Sequence, residues 1–152
     1  MRKFEVVKRI NEYSTSEELV VRLPERSTSK SAGYDFFLPE NTVCKAHEIT
    51  LVKTGMKAYM EDNDCLLLYN RSSNPKKKGL VVANGVGVID SDYVDNPDNE
   101  GEIGVLFHNI LDEDVVLNAG DKIVQGIFMK YEITDDDNAN GERTGGFGST
   151  GK

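Results

Sequence analysis

Apolar residues in this chain come in short runs that are closed every few positions by Gly, Asn, Asp or Pro, and that punctuation removes most folds from consideration. Phe4–Val7, Leu19–Leu23, Thr42–Met60, Cys65–Tyr69, Gly104–Ile110, Asp114–Leu117 and Lys122–Ile133 read as strands or strand-turn-strand units. Almost no stretch carries the 3.6-residue period of an amphipathic helix. Ser14/Thr15 with Glu17/Glu18 can form a capping box for a very short helix, but no apolar stripe follows it, so strand or loop is the better reading there. The chain is therefore expected to be all-β, with about ten short strands separated by turn signals. At 152 residues it suits one domain, able to bury about 68–70% of its unfolded surface without disulfides or a structural metal.

Within that frame the most informative stretch is Val81–Tyr93, VVANGVGVIDSDY. Two apolar runs flank Asn84-Gly85, a pair that favours a tight β-hairpin with φ > 0 at both turn positions. The second arm delivers Asp90 and then Tyr93. Unpaired backbone N–H and C=O groups at the mouth of such a hairpin can read a planar polar base, while Asp90 handles a proton or a water.

The net charge of −8 is unevenly distributed. Residues 1–80 hold 14 Lys and Arg against 11 Asp and Glu, whereas residues 81–152 hold 4 against 15. No Lys or Arg occurs between Val81 and Gly120. Such a surface argues against polynucleotide binding, because each phosphate contact wants a cation; a small anionic ligand remains possible where a local basic cluster or a metal ion offsets the repulsion. No apolar run approaches the roughly 20 residues of a membrane helix, so no membrane partner is expected. Cys44 and Cys65 lie in apolar runs and Met1–Ile10 carries no secretory pattern. Reduced, buried thiols and a cytoplasmic location follow.

Other segments carry chemistry. Asp35 stands between aromatics in Ser31–Phe37, either as a surface carboxylate on an edge strand or as one that orients another group. Asn70-Arg71-Ser72-Ser73-Asn74-Pro75 follows a buried strand. With Asn74 as cap and Pro75 as first helical residue, the Arg-Ser-Ser triplet would lie against a helix N-terminus, a natural place for phosphate. Lys76–Lys78 reads as a solvated face. Val94–Gly101 is an acidic, turn-rich loop that Pro97 keeps out of any central strand. Thr134–Glu142 is a polar linker, expected to be mobile. Beyond it, the glycines of Arg143–Gly151 let successive N–H groups converge on an anion, and Phe147 can stack on a planar ligand.

Five of these stretches, SAGYDF at Ser31–Phe36, RSS at Arg71–Ser73, GVIDSDY at Gly87–Tyr93 continuing in GEI at Gly101–Ile103, AGDKIVQ at Ala119–Gln125 and RTGGFGSTG at Arg143–Gly151, resemble in order and spacing the homotrimeric deoxyuridine triphosphatases (dUTPases). The resemblance covers about residues 23–152, and five ordered motifs are far more specific than one. It implies a distorted jelly-roll or β-clip barrel over residues 1–133, with a flexible Gly-rich capping tail at 134–152. It also implies hydrolysis of dUTP to dUMP and pyrophosphate with Mg²⁺, held mainly by the substrate phosphates and water, in a homotrimer with sites between subunits.

By the same resemblance Asp90 is the catalytic carboxylate that activates or orients water at the α-phosphorus. Tyr93 lies under the deoxyribose, and Asn84, Val88 and Ile89 belong to the hairpin that reads uracil. Arg71, Ser72, Ser73 and Gln125 hold phosphates. Phe147, with Gly148 and Ser149, closes over the nucleotide, Arg143 reaches the terminal phosphate, and Asp35 is a supporting carboxylate.

Three features depart from the family pattern. Asn70 replaces a glycine before RSS. Asp95–Glu100 inserts about six residues after Tyr93-Val94; it is expected to bulge from the site or from a subunit contact, with a protein partner as one possible use. The tail has one residue fewer between Arg143 and its paired glycines. A dCTP deaminase of the same fold and a nucleotide-binding regulatory protein are the competing functions.

Overall fold

The computed structural model describes residues 1–13 and 18–150; the Ser14–Glu18 stretch, read as strand or loop, falls largely outside the described residues. Eleven strands and two six-residue helices are found among them. The strands are β1 (Lys3–Val6), β2 (Tyr34–Phe37), β3 (Thr42–Cys44), β4 (Ile49–Lys53), β5 (Met56–Tyr59), β6 (Asp64–Asn70), β7 (Leu80–Val82), β8 (Gly87–Asp90), β9 (Gly104–Asn109), β10 (Val115–Leu117) and β11 (Lys122–Lys130). The all-β expectation holds, and the sandwich-like arrangement is that of a jelly roll. Leu19–Leu23, expected as an apolar run of strand type, forms no named strand.

All pairings are antiparallel and form four small sheets: β1-β5, β10-β3, β2-β11-β6-β8 and β4-β9-β7. The core lies between the two larger sheets, where Phe36, Leu66, Leu68, Leu80, Phe107 and Ile123 are fully buried. Strand alternation explains the choice of residues: along β9 the side chains of Val105, Phe107 and Asn109 point inward. Asn109 is fully buried yet satisfied, donating to the carbonyls of Cys44 and Glu113 and accepting from the Leu111 amide. Cys44 and Cys65 are free, buried thiols.

Helix α1 (Lys8–Tyr13) was not anticipated, because a six-residue segment is too short to display a periodic stripe. It is held by tertiary contacts instead. Val7 and Ile10 are buried, and the Val7 amide donates to the Gly55 carbonyl at 2.9 Å.

Helix α2 (Ser73–Lys78) follows β6, but its start differs from the sequence expectation. Ser72, not Asn74, is in the capping position, and Pro75 is the third helical residue. Asn74 is withdrawn from any capping role because it is buried, donating to Asn70 Oδ1 and the Ile123 carbonyl, both at 2.8 Å.

The largest correction concerns the stretch around Asn84-Gly85. Its two arms do not pair with each other: β7 joins β9 and β8 joins β6. Only Gly85 has φ in the left-handed region, at 77°. The turn instead spans Val82–Gly85, closed by the Gly85 amide on the Val82 carbonyl at 3.0 Å. A type I′ turn would zip the arms together; here each arm finds a better partner in a different sheet, and the turn becomes the vertex of a cleft.

Candidate active site

That cleft is a cavity of about 350 Å³. One wall is the open edge of β8, which is terminal in its sheet; the other is Gly104–Leu106 of β9, past the last residue that β7 pairs, with Val82 at the vertex. Alternate residues of each edge therefore turn N–H and C=O groups away from their partner strand and toward the space between. The unpaired backbone groups come from two sheet edges facing each other, not from the mouth of a hairpin. Asn84 is exposed at the vertex. Val88 is 60% exposed, whereas Ile89 is turned into the core at 7%, so Ile89 presents backbone rather than side chain to a ligand.

Asp90 stands at the end of β8 with its carboxylate half exposed at the cavity rim. Arg143 of the tail lies against it, with Nη2 2.6 Å from Asp90 Oδ2 and Nε 2.7 Å from Asp92 Oδ1. The guanidinium is itself nearly buried and sits 5.5 Å over the Tyr93 ring. Asp92 is exposed and shares that cation. Tyr93 is 6% exposed; its phenol donates to the Glu102 carbonyl at 3.0 Å and accepts from Asn99 Nδ2 at 2.8 Å. Burial pushes its acidity down, raising the pKa above the ordinary value against the opposing influence of Asn99 and Arg143. Phe147, Gly148 and Thr150 of the tail complete the lining, and Ser149 is held by Gly145 and Gly146 behind them.

A second group of predicted residues gathers elsewhere. Arg71 lies just past β6, with Nε 3.4 Å from Asp35 Oδ1 and Nη1 3.4 Å from the Lys122 carbonyl. Lys122 Nζ is 2.8 Å from Asp35 Oδ2, and Ser27 Oγ donates to the same oxygen at 3.0 Å. Burial alone would raise the Asp35 pKa, but Lys122, Ser27 and Arg71 outweigh it and hold the carboxyl below its usual range. Asp35 sits on an edge strand, as the first of its two readings has it, and is engaged there by Lys122, Ser27 and Arg71. Gln125 pairs with Asp35 and Tyr69 in register and donates to the Asn70 carbonyl at 3.3 Å. Ser72 is exposed beside them and makes no side-chain cap bond. Asn70 clamps the turn by donating to the Leu80 carbonyl at 3.0 Å.

The two groups do not meet within one chain. In register, Asp90 is opposite Cys65 near one end of β6, whereas Arg71 follows Asn70 at the other. Six residues of extended chain separate these levels, a distance of about 20 Å.

Within the chain the inserted loop packs toward the site rather than bulging from it: Asn96 is buried and donates to the Tyr93 carbonyl at 2.7 Å, and Asp98 Oδ2 accepts the Gly146 amide at 2.7 Å. Sequence reasoning missed Lys122, Asp98 and Asn99. Lys122 had a local signal, since it lies within the AGDKIVQ stretch; Asp98 and Asn99 looked like ordinary turn residues.

Among the described residues no group of three or more His, Cys, Asp or Glu side chains is arranged to hold a metal ion, and no helix is long and apolar enough to cross a membrane.

Comparison with known proteins places the chain among relatives. The family model described as dUTPase matches residues 20–151. A deoxyuridine 5'-triphosphate nucleotidohydrolase of Lactococcus lactis is 51% identical over 133 residues, covering 86% of this chain and 89% of the relative. One of Rickettsia felis is 36% identical over 152 residues, covering 95% of each. The crystal structure of a Streptococcus mutans dUTPase superposes with a TM-score of 0.78 at 48% identity, covering 87% of this chain and 98% of that one.

Proposed function

The chain belongs to the dUTPase family and is a dUTP diphosphatase, and we propose that it acts with Asp90 as the group that receives the proton of the attacking water. The single observation that carries this reading is Asp90 at the rim of a cleft whose walls are two unpaired sheet edges. A uracil ring fits such edges, because its two carbonyls and ring N–H find complementary backbone groups. Tyr93, packed and hydrogen-bonded at its far end, offers the deoxyribose a fixed face.

Water held by Asp90 attacks the α-phosphorus in line. The new O–P bond forms as the bond to the bridging oxygen breaks, the water's proton passes to Asp90, and pyrophosphate leaves. The chain's part is positioning and charge neutralisation. Asn84, Val88 and Ile89 hold the base through the strand edges, and Arg71, Ser72, Ser73 and Gln125 hold phosphates. Phe147, Gly148 and Ser149 cover the nucleotide. Arg143 exchanges the carboxylates of Asp90 and Asp92 for phosphate as substrate enters, which frees Asp90 to hold water. Residues 1–133 are the body of this machine and 134–152 its capping tail.

Two half-sites about 20 Å apart along the length of β6 cannot hold neighbouring atoms of one phosphate chain. The separation supports a homotrimer in which Asp90 of one subunit works with Arg71 of another. Mg²⁺ fits this chain as an ion carried by the triphosphate, since the carboxylates at the rim are exposed and already engaged by Arg143. When bound it neutralises phosphate charge that would otherwise be repelled by the acidic surface. The two free thiols fit a reducing cytoplasm.

A substrate panel tests the reading. With Mg²⁺ the protein should release pyrophosphate from dUTP and far less from dCTP, dTTP or UTP. Ammonia from dCTP without pyrophosphate from dUTP would instead mark a deaminase; binding without turnover would mark a regulator.

A further inference from the structure

We infer that the inserted loop Asp95–Glu100 is the receptor for the C-terminal tail, with Asp98 as the residue that positions the tail over the site. The loop is built to be rigid at its base. Lys57, itself 7% exposed, binds Asp95 at 2.6 Å and Glu100 at 2.9 Å, Tyr59 donates its hydroxyl to Asp95 at 2.6 Å, and the Lys8 amide donates to Glu100 at 2.9 Å. Inside the loop, Asn96 Oδ1 accepts the amides of Asp98 and Asn99, while its Nδ2 donates to Asn99 Oδ1.

These bonds use up the loop's lower carboxylates and leave Asp98 at its crest. There its Oδ2 accepts the Gly146 amide at 2.7 Å, a charge-assisted bond to backbone. Beside it, Asn99 donates to the Tyr93 hydroxyl. One loop therefore touches both the fixed wall of the cavity and its movable cover.

The tail is shaped to match. Gly145 and Gly146 are both buried against the loop. A Cβ on Gly145 would lie 2.7 Å from Asp98 Oδ2, and one on Gly146 would lie 3.1 Å from the Asn99 side-chain amide. Two consecutive residues without side chains are thus what lets the tail reach Asp98. Docked there, the next residue is Phe147, which lines the cavity. The same surfaces meet whether the tail and loop belong to one subunit or to two.

The kinetic part of this inference rests on dUTP hydrolysis; the docking itself does not, and the experiment separates them. Trypsin cleavage at Arg143–Thr144 is followed in the full-length, nucleotide-free protein, and kcat and KM for dUTP are measured alongside. Asp98→Ala should speed that cleavage and lower kcat/KM about tenfold, with an unchanged melting profile for the body of the protein. Asp98→Asn, which keeps an acceptor oxygen, should recover most of both. Gly146→Ala should match Asp98→Ala, and the double variant should be no worse than either. Wild-type cleavage and kinetics in Asp98→Ala, or fully additive losses in the double variant, would overturn the docking role. Absence of dUTP turnover in the wild-type protein, with Asp98-dependent cleavage intact, would overturn the function and leave the docking standing.

Discussion

Arg143 and Asp90 form an ion pair at 2.6 Å across 53 residues of sequence. A cation brought by the tail therefore rests on the carboxylate proposed to receive the proton, while Asp92 takes the same guanidinium from its other side. The arrangement offsets part of the negative charge at the rim of a cavity that must admit a triphosphate. On the proposed mechanism, phosphate draws the guanidinium away and frees Asp90 Oδ2 to hold water. This makes Asp90 the place where chemistry and binding are most cleanly separable.

Asp90→Asn should lower kcat about a thousandfold while the affinity for a non-hydrolysable dUTP analogue stays within about threefold of wild type. The amide still donates and accepts hydrogen bonds but takes no proton at neutral pH. Single-turnover kinetics and calorimetric titration check the two halves. Normal hydrolysis by the variant removes Asp90 from the mechanism.

Deletion of residues 143–152 should reduce kcat/KM about a hundredfold or more and leave assembly intact. The last strand ends at Lys130, and residues 131–150 contribute neither strand nor helix. The deletion removes Arg143 and Phe147 without opening a sheet. Sedimentation of the truncated chain at the wild-type mass, with activity lost, is the expected pair of results; an unfolded or dissociated product contradicts it.

Lys57 gives a pH signature to the loop base. Burial by itself lowers the Lys57 pKa, but Asp95, Glu100 and Tyr59 overcome it and raise it well above 10.5. Burial likewise raises Asp95 and Glu100, but Lys57, with Tyr59 on Asp95 and the Lys8 amide on Glu100, reverses this and holds both below their ordinary values. A raised lysine contributes stability that is complete below its unfolded pKa and fades only as pH climbs through the folded one. The depressed carboxylates contribute above their unfolded values and lose that contribution as pH falls through the folded ones. Lys57→Met should therefore cost about 2 kcal/mol near neutrality, and the gap to wild type should narrow below about pH 4. Urea unfolding of both proteins at several pH values measures it. A gap that widens in acid contradicts the clamp.

Much of this architecture was legible before any coordinates. Strands β6, β9 and β11 follow from alternating or continuous apolar runs, and Asp90, Arg71 and Phe147 stood out by residue type and setting. What local pattern did not carry was partnership. Nothing in VVANGVGVI says that its arms prefer other strands to each other, because that choice depends on β6 and β9. The six residues of α1 acquire their shape from Val7 and Ile10 against the body of the protein. Asp98 resembles any turn carboxylate until the tail, 48 residues later, is placed on it. Lys122 gains its meaning only from Asp35, 87 residues earlier.

Subunit mixing tests the division of the site most directly. Asp90→Asn and Arg71→Ala should each be nearly inactive as pure assemblies. Arg71→Ala should still fold, since Asp35 keeps Lys122 and Ser27 as partners. If every site of the proposed trimer takes Asp90 from one chain and Arg71 from another, random assemblies of the two variants contain sites in which both residues are wild type. For equal mixing, about a quarter of sites should be intact, and activity should return to about that level. If instead a single chain supplied both residues, every site would carry one lesion and no mixture would recover. The register of β6 argues for recovery, because Asp90 and Arg71 stand at opposite ends of that strand. Activity measured before and after co-refolding, with mass spectrometry to verify mixed assemblies, decides between the two. Mixed trimers as inactive as their parents would place the whole site within one chain.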